Sequence, residues 1–351
     1  MSTKPQPRPP TIVDVARVAG VSKSTVSNVI RSVEGVTDET RLAVVAAIEQ
    51  LGYRPNALAR QLARRHTRIF GVIVGDLGNP FHAGMAKLVE REAASRGYAT
   101  MFSNTLGDPA IEAASIEMML EHRVAGIVFL AFSEPGAIRS QLEGKLPVVF
   151  VGCSEGWADS IVAADRRGAR IATEHLIGLG HRRIAYLTTP LVEERDNRSR
   201  LAGYREALSH ASLHPGPEVS WAPHAADADT SASATMFEEL FHGDDLVTGV
   251  FASNDLAAID LIDIADGLGL DVPSDLSVVG FDDAGIAGLA RISLTTIAQP
   301  QRELVRLGAE RLVERIEGRG GEEPRRRVVD VELVVRRSTG PPRTRTRGRR
   351  R

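Results

Sequence analysis

The sequence predicts an all-α N-terminal segment followed by a larger α/β body of two doubly wound, parallel-sheet lobes. Residues 11–62 show apolar side chains at helical spacing, interrupted by glycine, whereas from Arg68 onward short valine- and isoleucine-rich runs alternate with longer helical stretches. The charge changes at the same place. Residues 1–66 hold 10 basic and 5 acidic side chains, but residues 67–340 hold 27 basic and 40 acidic ones. A basic segment on an acidic body suits a protein that presents one end to a polyanion.

Length and composition restrict the class of protein. The 351 residues are enough for two or three domains. The single cysteine, Cys153, excludes an internal disulfide and a CxxC metal site. No apolar run approaches the roughly 18 residues of a membrane span, and the proline-rich residues 1–10 predict a disordered leader and not a signal peptide. These features favour a cytoplasmic protein.

The N-terminal segment begins with two closely spaced helix starts. Thr11 and Asp14 form a capping-box pattern, and Gly20 supplies the positive φ that ends the first helix. Ser22 caps a second helix only two residues later. A turn this short makes the two helices cross steeply, as in a helix-turn-helix. The second helix turns Val26, Val29 and Ile30 inward and leaves four polar side chains outward: Lys23, Ser24, Ser27 and Asn28.

A third helix completes the small apolar core. Thr37 caps it, two acidic residues occupy its first turn, and Gly52 ends it. Its predicted buried face consists of Leu42, Val45, Ile48 and Leu51. Pro55 then bars continuation of the helix, while Asn56 can cap a short helix that ends near Leu62. An isolated helix of this length is marginal in water, so we expect it to form only against a partner.

In the body, eight strand-like runs alternate with helices, which indicates two parallel α/β lobes that meet near Asp165. The runs are IFGVIV, YATMFSN, VAGIVFL, PVVFVG, HRRIAYLTT, PEVSWAP, VTGVFASN and LSVVGFDD, and the helices are predicted at 81–96, 110–121, 168–179, 198–211 and 255–268. A last unit comprises a run at 293–299, a helix at 301–317 and a strand at 327–335. The Arg-rich residues 341–351 predict a disordered tail.

Three segments together resemble the LacI/GalR (lactose-repressor) family of bacterial transcription regulators: TIVDVARVAGVSKSTVSNVI, VTDETRLAVVAAIEQLGYRPNALARQL and GVIVGDLGNPF. The resemblance covers about residues 11–339. It implies an all-α helix-turn-helix head with a hinge helix, joined to an α/β body like that of the periplasmic binding proteins. The implied divisions are a head at 11–55, a hinge helix and linker at 56–66, and an effector-binding and dimerisation domain at 67–340. That domain has an N-lobe at about 67–164 and 296–324 and a C-lobe at about 165–295 and 325–340.

The resemblance also assigns roles in DNA binding. It implies that Lys23, Ser24 and Asn28 read base edges in the major groove, while Ser22, Thr25 and Ser27 hold phosphates. Leu62 matches the hinge-helix leucine that wedges into the minor groove, with Asn56, Ala59 and Arg60 lining that groove. An ordinary packing role for Leu62 is the alternative reading.

For a small-molecule effector, polar residues at the carboxyl ends of the predicted strands are the candidates. They are Asp76, Asn79, Phe81, His82, Arg200, Asn254, Asp282 and, in the crossover between lobes, Gln299. The resemblance places Phe81, Arg200, Asn254, Asp282 and Gln299 around the effector. Asn254 could instead cap the next helix, and Asp282 could be a loop residue. Trp221 could stack on a ligand ring or pack in the core. Guanidinium, amide and carboxylate groups beside an aromatic face suit a sugar or nucleoside.

The leading hypothesis is a homodimeric regulator, most simply a repressor, that binds pseudo-palindromic operator DNA and is controlled by a small-molecule effector, with no cofactor expected. The effector could act as an inducer or as a corepressor. A solute-binding protein of a sugar transporter accounts for the body but predicts a signal peptide and no head. An α/β enzyme predicts a nucleophile or metal cluster, and the sequence lacks GxxxxGK[ST], HExxH, GxSxG and GxGxxG motifs in a suitable context.

Overall fold

The computed structural model describes residues 8, 10–30, 35–53, 67–133, 135–188, 194–220, 237, 240–241 and 246–343. The chain divides into two compact units, of which the first ends at Thr67 and the second begins at Arg68. Within the described residues, no helix is long and apolar enough to cross a membrane. The predicted hinge helix at 56–66 and the predicted tail from 344 onward lie outside these residues.

The N-terminal unit contains three helices, α1 (Ile12–Val18), α2 (Lys23–Ile30) and α3 (Asp38–Leu51). The predicted capping box is confirmed: the Thr11 backbone amide and hydroxyl both donate to Asp14 Oδ2, at 2.9 and 2.7 Å. Ser22 Oγ accepts from the Thr25 amide at 3.0 Å, and Thr37 Oγ1 accepts from the Thr40 amide at 3.3 Å. Gly20 and Gly52 have the predicted positive φ of 67° and 59°. Local chemistry therefore determines where each of these helices begins and ends.

One part of the predicted head core is wrong. Leu42 and Val45 are 71% and 42% exposed, so they do not lie on the buried face of α3. The buried stripe consists instead of Val44, Ala47, Ile48 and Leu51, which pack against Val15, Ala16, Val26 and Val29. Positions 44, 47, 48 and 51 follow the 3.6-residue period, but positions 42 and 45 point away from that stripe. The helix is apolar on more than one side, and the sequence alone does not say which side packs.

The first lobe of the body is built on a six-stranded, entirely parallel sheet. In the order β11-β5-β4-β3-β1-β2, its strands are Arg326–Val329, Asp159–Ala163, Val148–Val151, Gly126–Phe129, Ile69–Val74 and Ala99–Asn104. Its helices are α4 (Pro80–Ser95), α5 (Pro109–Glu121), α6 (Pro135–Leu142) and α10 (Gln301–Ile316). Alternate residues of β1 enter two separate apolar layers. Val72 and Val74 pack with Met85 and Leu304, whereas Ile73 packs with Ile116 on the other face.

The second lobe repeats this arrangement. In the order β12-β10-β9-β8-β6-β7, its strands are Glu332–Val334, Thr295–Ala298, Ser277–Asp282, Gly249–Ala252, Ile184–Thr188 and Glu218–Ser220, with only β12 antiparallel to its neighbour. Its helices are α7 (Asp165–Gly178), α8 (Glu194–His210) and α9 (Asp255–Gly267). In each sheet the first strand lies between the second and third strands of its lobe. Ligands bind outside the carboxyl ends of strands at such switch points.

The chain crosses between the lobes later than predicted. Residues 327–335 were expected to form one strand of the second lobe, but Arg326–Val329 pairs with β5 in the first sheet and Glu332–Val334 pairs with β10 in the second. Thr295–Ala298 also belongs to the second sheet, so the first-lobe segment does not begin at 296. Only Asp330 and Val331 separate the strand that joins the first sheet from the strand that joins the second. Strand propensity predicts extended chain, but it does not identify the sheet that the chain joins.

A glycine at the contact between α7 and α8 provides a test of this packing. A Cβ at Gly203 would lie 2.1 Å from the Arg166 carbonyl oxygen and 3.0 Å from Ala169 Cβ. We expect Gly203→Ala to lower the free energy of unfolding by about 1–3 kcal/mol or more, because the helices must separate. Gly178→Ala is the matched control, since a Cβ there meets nothing within 4 Å. It should be neutral or stabilise by up to about 1 kcal/mol. Equal thermal stability of the two variants would contradict the packing.

Candidate functional site

The exposed side of α2 forms the first candidate surface. Ser22, Lys23 and Ser24 are exposed, and Ser27 and Asn28 are half-buried. At 100° per residue, positions 23, 24, 27 and 28 span about 140° of the helix circumference. Val26 and Val29 lie on the opposite, buried side. The structure therefore brings the predicted base-reading side chains together on one side of a single short helix.

Three hydroxyl groups gather at the start of α2. Ser22 Oγ forms hydrogen bonds with Ser24 Oγ at 2.7 Å and with Thr25 Oγ1 at 2.8 Å, in addition to the bond from the Thr25 amide. Backbone amides and the helix dipole favour an anion at this end of a helix. The Lys23 ammonium is exposed next to the cluster. The groups at this end of α2 can therefore bind a phosphate. The Ser24 hydroxyl, predicted to read bases, is also hydrogen-bonded to the capping residue Ser22.

The predicted minor-groove residues Asn56, Ala59, Arg60 and Leu62 lie outside the described residues, so their roles stay predictions. The same holds for Trp221, which was expected beside the effector.

In the first lobe, the loop after β1 uses two of the predicted effector residues to shape itself. Asp76 Oδ1 accepts from the Gly78 amide at 2.7 Å, and Asn79 Oδ1 accepts from the Phe81 amide at 2.9 Å as the N-cap of α4. Phe81 is buried and packs in the same apolar cluster as Met85 and Val305. Asp76 and Asn79 therefore hold the loop in place at the carboxyl end of β1.

His82 follows on the first turn of α4, and its ring lies 6.0 Å from that of Phe81. Its Nδ1 atom is buried and has no hydrogen-bond partner. Burial lowers the pKa of His82, and the positive charge of Arg200 lowers it further against opposing contributions from Asp76. Because Arg200 belongs to α8 of the second lobe, this interaction places groups from both lobes within electrostatic reach of each other.

Arg200 is the centre of the second-lobe cluster. The residue is only 5% exposed. Its Nε and Nη2 atoms both lie 2.9 Å from Asp165 Oδ1, and Nη1 donates to the Ser253 carbonyl oxygen at 2.5 Å. The guanidinium carbon lies 3.9 Å from the centroid of the Phe281 ring, within range of a cation–π contact. Arg200 therefore joins α7, α8, β8 and β9 at the carboxyl end of the second sheet.

Asp282 and Gln299, two of the predicted effector residues, contact each other beside this cluster. Gln299 Nε2 donates to Asp282 Oδ1 at 2.7 Å, and Asp282 is 4% exposed. The pKa of Asp282 is raised to about 7, mainly because the carboxyl group is buried; Arg200 and Gln299 lower it, and Asp165 contributes to the increase. Asp282 and Asp283 have φ of 124° and 51°, a region that non-glycine residues seldom adopt. Such conformations often accompany functional sites, because surrounding contacts must maintain them.

Asn254 adopts the alternative role that its position suggested. It is the N-cap of α9, where its Oδ1 accepts from the Ala257 amide at 2.8 Å. The next residue, Asp255, also follows the strand; it is a buried acid to which the sequence assigns no role. It accepts from the Ala284 amide at 2.7 Å and from the Thr296 hydroxyl. Burial raises the pKa of Asp255 well above its usual value, and Asp282 raises it further.

Asp165, at the predicted boundary between the lobes, is the main partner of Arg200. The role of Asp165 cannot be recognised from the neighbouring sequence, because its partner Arg200 lies 35 positions away. Burial raises its pKa against the effect of Arg200. Among the described residues, no group of three or more histidine, cysteine or acidic side chains is arranged to hold a metal ion.

The buried acids make stability depend on pH. Asp282 binds a proton in the folded protein up to about pH 7, whereas an unfolded aspartate releases it near pH 4. The free energy of unfolding should therefore fall as the pH rises from about 4 to about 7. In Asp282→Asn this decrease in the free energy of unfolding should be smaller. The decrease that remains comes from Asp165 and Asp255. The exposed substitution Asp263→Asn is the control. Equal pH profiles of Asp282→Asn and the control, measured by urea unfolding, would contradict a proton on Asp282.

Known proteins resemble this chain in both units. Residues 11–56 match the model of the bacterial regulatory proteins of the lacI family, and residues 173–339 match that of the periplasmic binding protein-like domain. The HTH-type transcriptional repressor PurR of Aliivibrio salmonicida (strain LFI1238) is 34% identical over 334 residues, which cover 93% of this chain and 98% of PurR.

Solved structures show the same similarity. The lac repressor dimer bound to operator and the anti-inducer ONPF superposes with a TM-score of 0.81 and 28% identity, and the match covers 95% of this chain and 100% of that one. The complex of the transcriptional regulator CelR with cellobiose has a TM-score of 0.65 and 30% identity, with coverage of 94% and 99%. With its helix-turn-helix head and its two-lobed, periplasmic-binding-protein-like body, the chain belongs to the lacI family of bacterial regulatory proteins, which are DNA-binding transcription regulators.

Proposed function

We propose that this regulator acts in the cytoplasm as a homodimeric repressor whose binding to pseudo-palindromic operator DNA is controlled by a small-molecule effector. The observation that carries the proposal is the buried cluster of Arg200, Asp282 and Gln299. It lies at the carboxyl ends of parallel strands. The same chain carries α2, whose exposed polar side chains suit contacts with DNA. A two-fold dimer requires a two-fold site, so each half of the operator receives one α2 helix.

Operator recognition combines positioning contacts with base readout. The hydroxyls of Ser22 and Thr25 and the amides at the start of α2, with Ser27, hold phosphates and fix the helix in the major groove. Lys23, Ser24 and Asn28 then face base edges. Lysine pairs with the O6 and N7 acceptors of guanine, and asparagine pairs with adenine. Asn56, Ala59, Arg60 and Leu62 contribute minor-groove contacts in this proposal, on the evidence of motif position alone.

The effector occupies the carboxyl ends of the strands in both lobes of the body. A hydroxyl-rich ligand, such as a sugar or a nucleoside, suits the cluster because each buried polar group then finds a partner. The relative CelR has been solved with cellobiose. In this chain Arg200, Asp282, Gln299, Asn254 and His82 are the proposed second- and first-lobe contacts, with Asp76, Asn79, Phe81 and Trp221 around them.

Other functions explain less of the chain. A solute-binding protein of a transporter has no use for the helix-turn-helix head, so that alternative is not favoured. For an enzyme, the acids of the cleft are poorly placed: Asp282 bonds Gln299, Asp255 holds the Ala284 amide, and Asp165 pairs with Arg200. These contacts suit ligand recognition. By linkage, an effector that weakens operator binding must itself bind more weakly to the operator complex.

The first test is a gel-shift selection with full-length protein against randomised palindromic duplexes. We expect an enriched operator whose binding weakens as the salt concentration rises, because phosphate contacts release counterions. Lys23→Ala should weaken binding by about 1–3 kcal/mol and relax the base preference at one position of each half-site. Lys87→Ala, which removes the same charge from the exposed surface of α4, is the control. Failure to enrich any sequence would contradict sequence-specific binding, and equal effects of the two variants would contradict the role of Lys23.

The second test concerns the proposed minor-groove wedge. Leu62→Ala should weaken binding to the selected operator, because the loss of an apolar wedge makes the bent DNA less favourable. The thermal unfolding midpoint and its increase on effector binding should stay the same. Unchanged operator affinity in this variant would show that Leu62 does not act as a wedge.

A further inference from the structure

We infer that the cleft selects uncharged, hydroxyl-rich ligands and rejects the phosphate esters and carboxylates of the same compounds. This inference rests on the proposed role of the cleft as the effector site. It adds the charge of the ligand, which we infer from the partners that the charged side chains of the site already have.

Arg200 supplies the guanidinium at the centre of the cluster. A ligand phosphate would need this group as its counter-charge, since arginine binds phosphate through paired N–H donors. In this structure Nε and Nη2 are directed to Asp165, and Nη1 is directed to the Ser253 carbonyl oxygen. The Phe281 ring covers one face of the guanidinium. Asp165 therefore already neutralises the charge that an anionic ligand would use.

The helices that begin at the carboxyl ends of the strands carry oxygens of the protein at their first turns. The N-terminus of a helix is a ready site for phosphate, because its free amides point outward and its dipole is positive. In α9 the Asn254 side chain accepts from the Ala257 amide, and the first helical residue is the acidic Asp255. In α4 the Asn79 side chain accepts from the Phe81 amide. Helix α7 begins with Asp165 itself.

These helix starts are therefore occupied by oxygens of the protein. A phosphate at any of the three would have to displace an amide cap or lie beside a carboxylate. The loop before α4 follows the same pattern, because the Gly78 amide donates to Asp76.

The buried acids of the site also disfavour an anionic ligand. Asp165, Asp255 and Asp282 are all buried, and Asp165 and Asp282 both interact with Arg200. Burial raises the pKa of each, and the acids also raise one another's: Asp165 acts on Asp282, and Asp282 acts on Asp255. A site whose own carboxyl groups resist ionisation resists a further negative charge in the same way. His82, whose pKa is lowered by burial and by Arg200, supplies a neutral imidazole instead of a cation.

The same groups suit hydroxyls. The Asp282 carboxylate can accept from a ligand hydroxyl, and the Gln299 carbonyl oxygen can accept while its Nε2 holds Asp282. The buried Nδ1 of His82 lacks a partner in the structure and gives the first lobe a further polar atom. A ligand with several neutral donor and acceptor groups would satisfy these atoms without adding charge.

The test compares pairs in which one member carries an added anionic group, with the full-length protein at pH 7.5 and constant ionic strength. The pairs are D-glucose and glucose 6-phosphate, D-ribose and ribose 5-phosphate, D-glucose and D-glucuronate, and inosine and inosine 5′-monophosphate. Thermal shift identifies the compounds that bind, since a ligand of the folded state raises the unfolding midpoint, and calorimetry then gives each Kd. We expect every binding pair to favour the uncharged member by at least tenfold.

An anionic member that binds as tightly as its uncharged partner, or more tightly, would overturn the inference. If no compound of either charge binds, the proposed effector cleft fails, and the inference fails with it. Two variants test whether the carboxyl groups cause the selectivity. We expect Asp282→Asn to reduce severalfold the ratio of the Kd of the anionic member to the Kd of the uncharged member. Asp76→Asn, in the less buried loop of the first lobe, should do the same, and an unchanged ratio in both variants would contradict the mechanism.

Discussion

The buried pair between Arg200 and Asp165 is the contact on which the cleft depends. The two residues come from adjacent helices, and the guanidinium also reaches a carbonyl at the end of β8 and an aromatic ring of β9. Removing one partner of such a pair leaves an uncompensated buried charge and typically costs about 3–5 kcal/mol. Arg200 therefore stabilises the second lobe and also sets the charge of the site. These two roles cannot be separated by deleting the side chain.

The acids around this pair explain the electrostatic character of the cleft. Asp255 holds the amide of Ala284, a buried residue that packs in the same apolar cluster as Phe81 of the first lobe. The loop after β9 thus connects the carboxyl cluster to the core of the opposite lobe. Asp282, the last residue of β9, and Asp283, the first residue of that loop, have positive φ, and Asp283 is held by Arg336. A ligand that changes the Asp282 contacts therefore acts on a backbone segment shared by the two lobes.

Much of the fold could be predicted because local chemistry marks it. Glycine and hydroxyl caps determine the ends of the head helices, and continuous apolar runs determine the buried parallel strands. The strand Asp159–Ala163 and the helix Pro135–Leu142 were not predicted, since neither has a strong local pattern. The assignment of β11 and β12 to different sheets and the exposure of Leu42 depend on tertiary contacts, which sequence periodicity does not contain. The polar residues at strand ends were predicted as a group, but Asp165 and Asp255 became recognisable only beside their partners.

The central claim is that the Arg200 cluster transmits the presence of an effector to operator binding. The direct measurement is the operator Kd of the full-length protein, with and without an uncharged ligand that stabilises it, for the wild type and for Arg200→Lys. Lysine keeps the charge but cannot form the paired contacts of arginine. We predict that the ligand changes the operator Kd of the wild type by at least fivefold, and that Arg200→Lys binds the operator normally but loses this response. An equal response to the ligand in both proteins, or none in the wild type, would contradict the account.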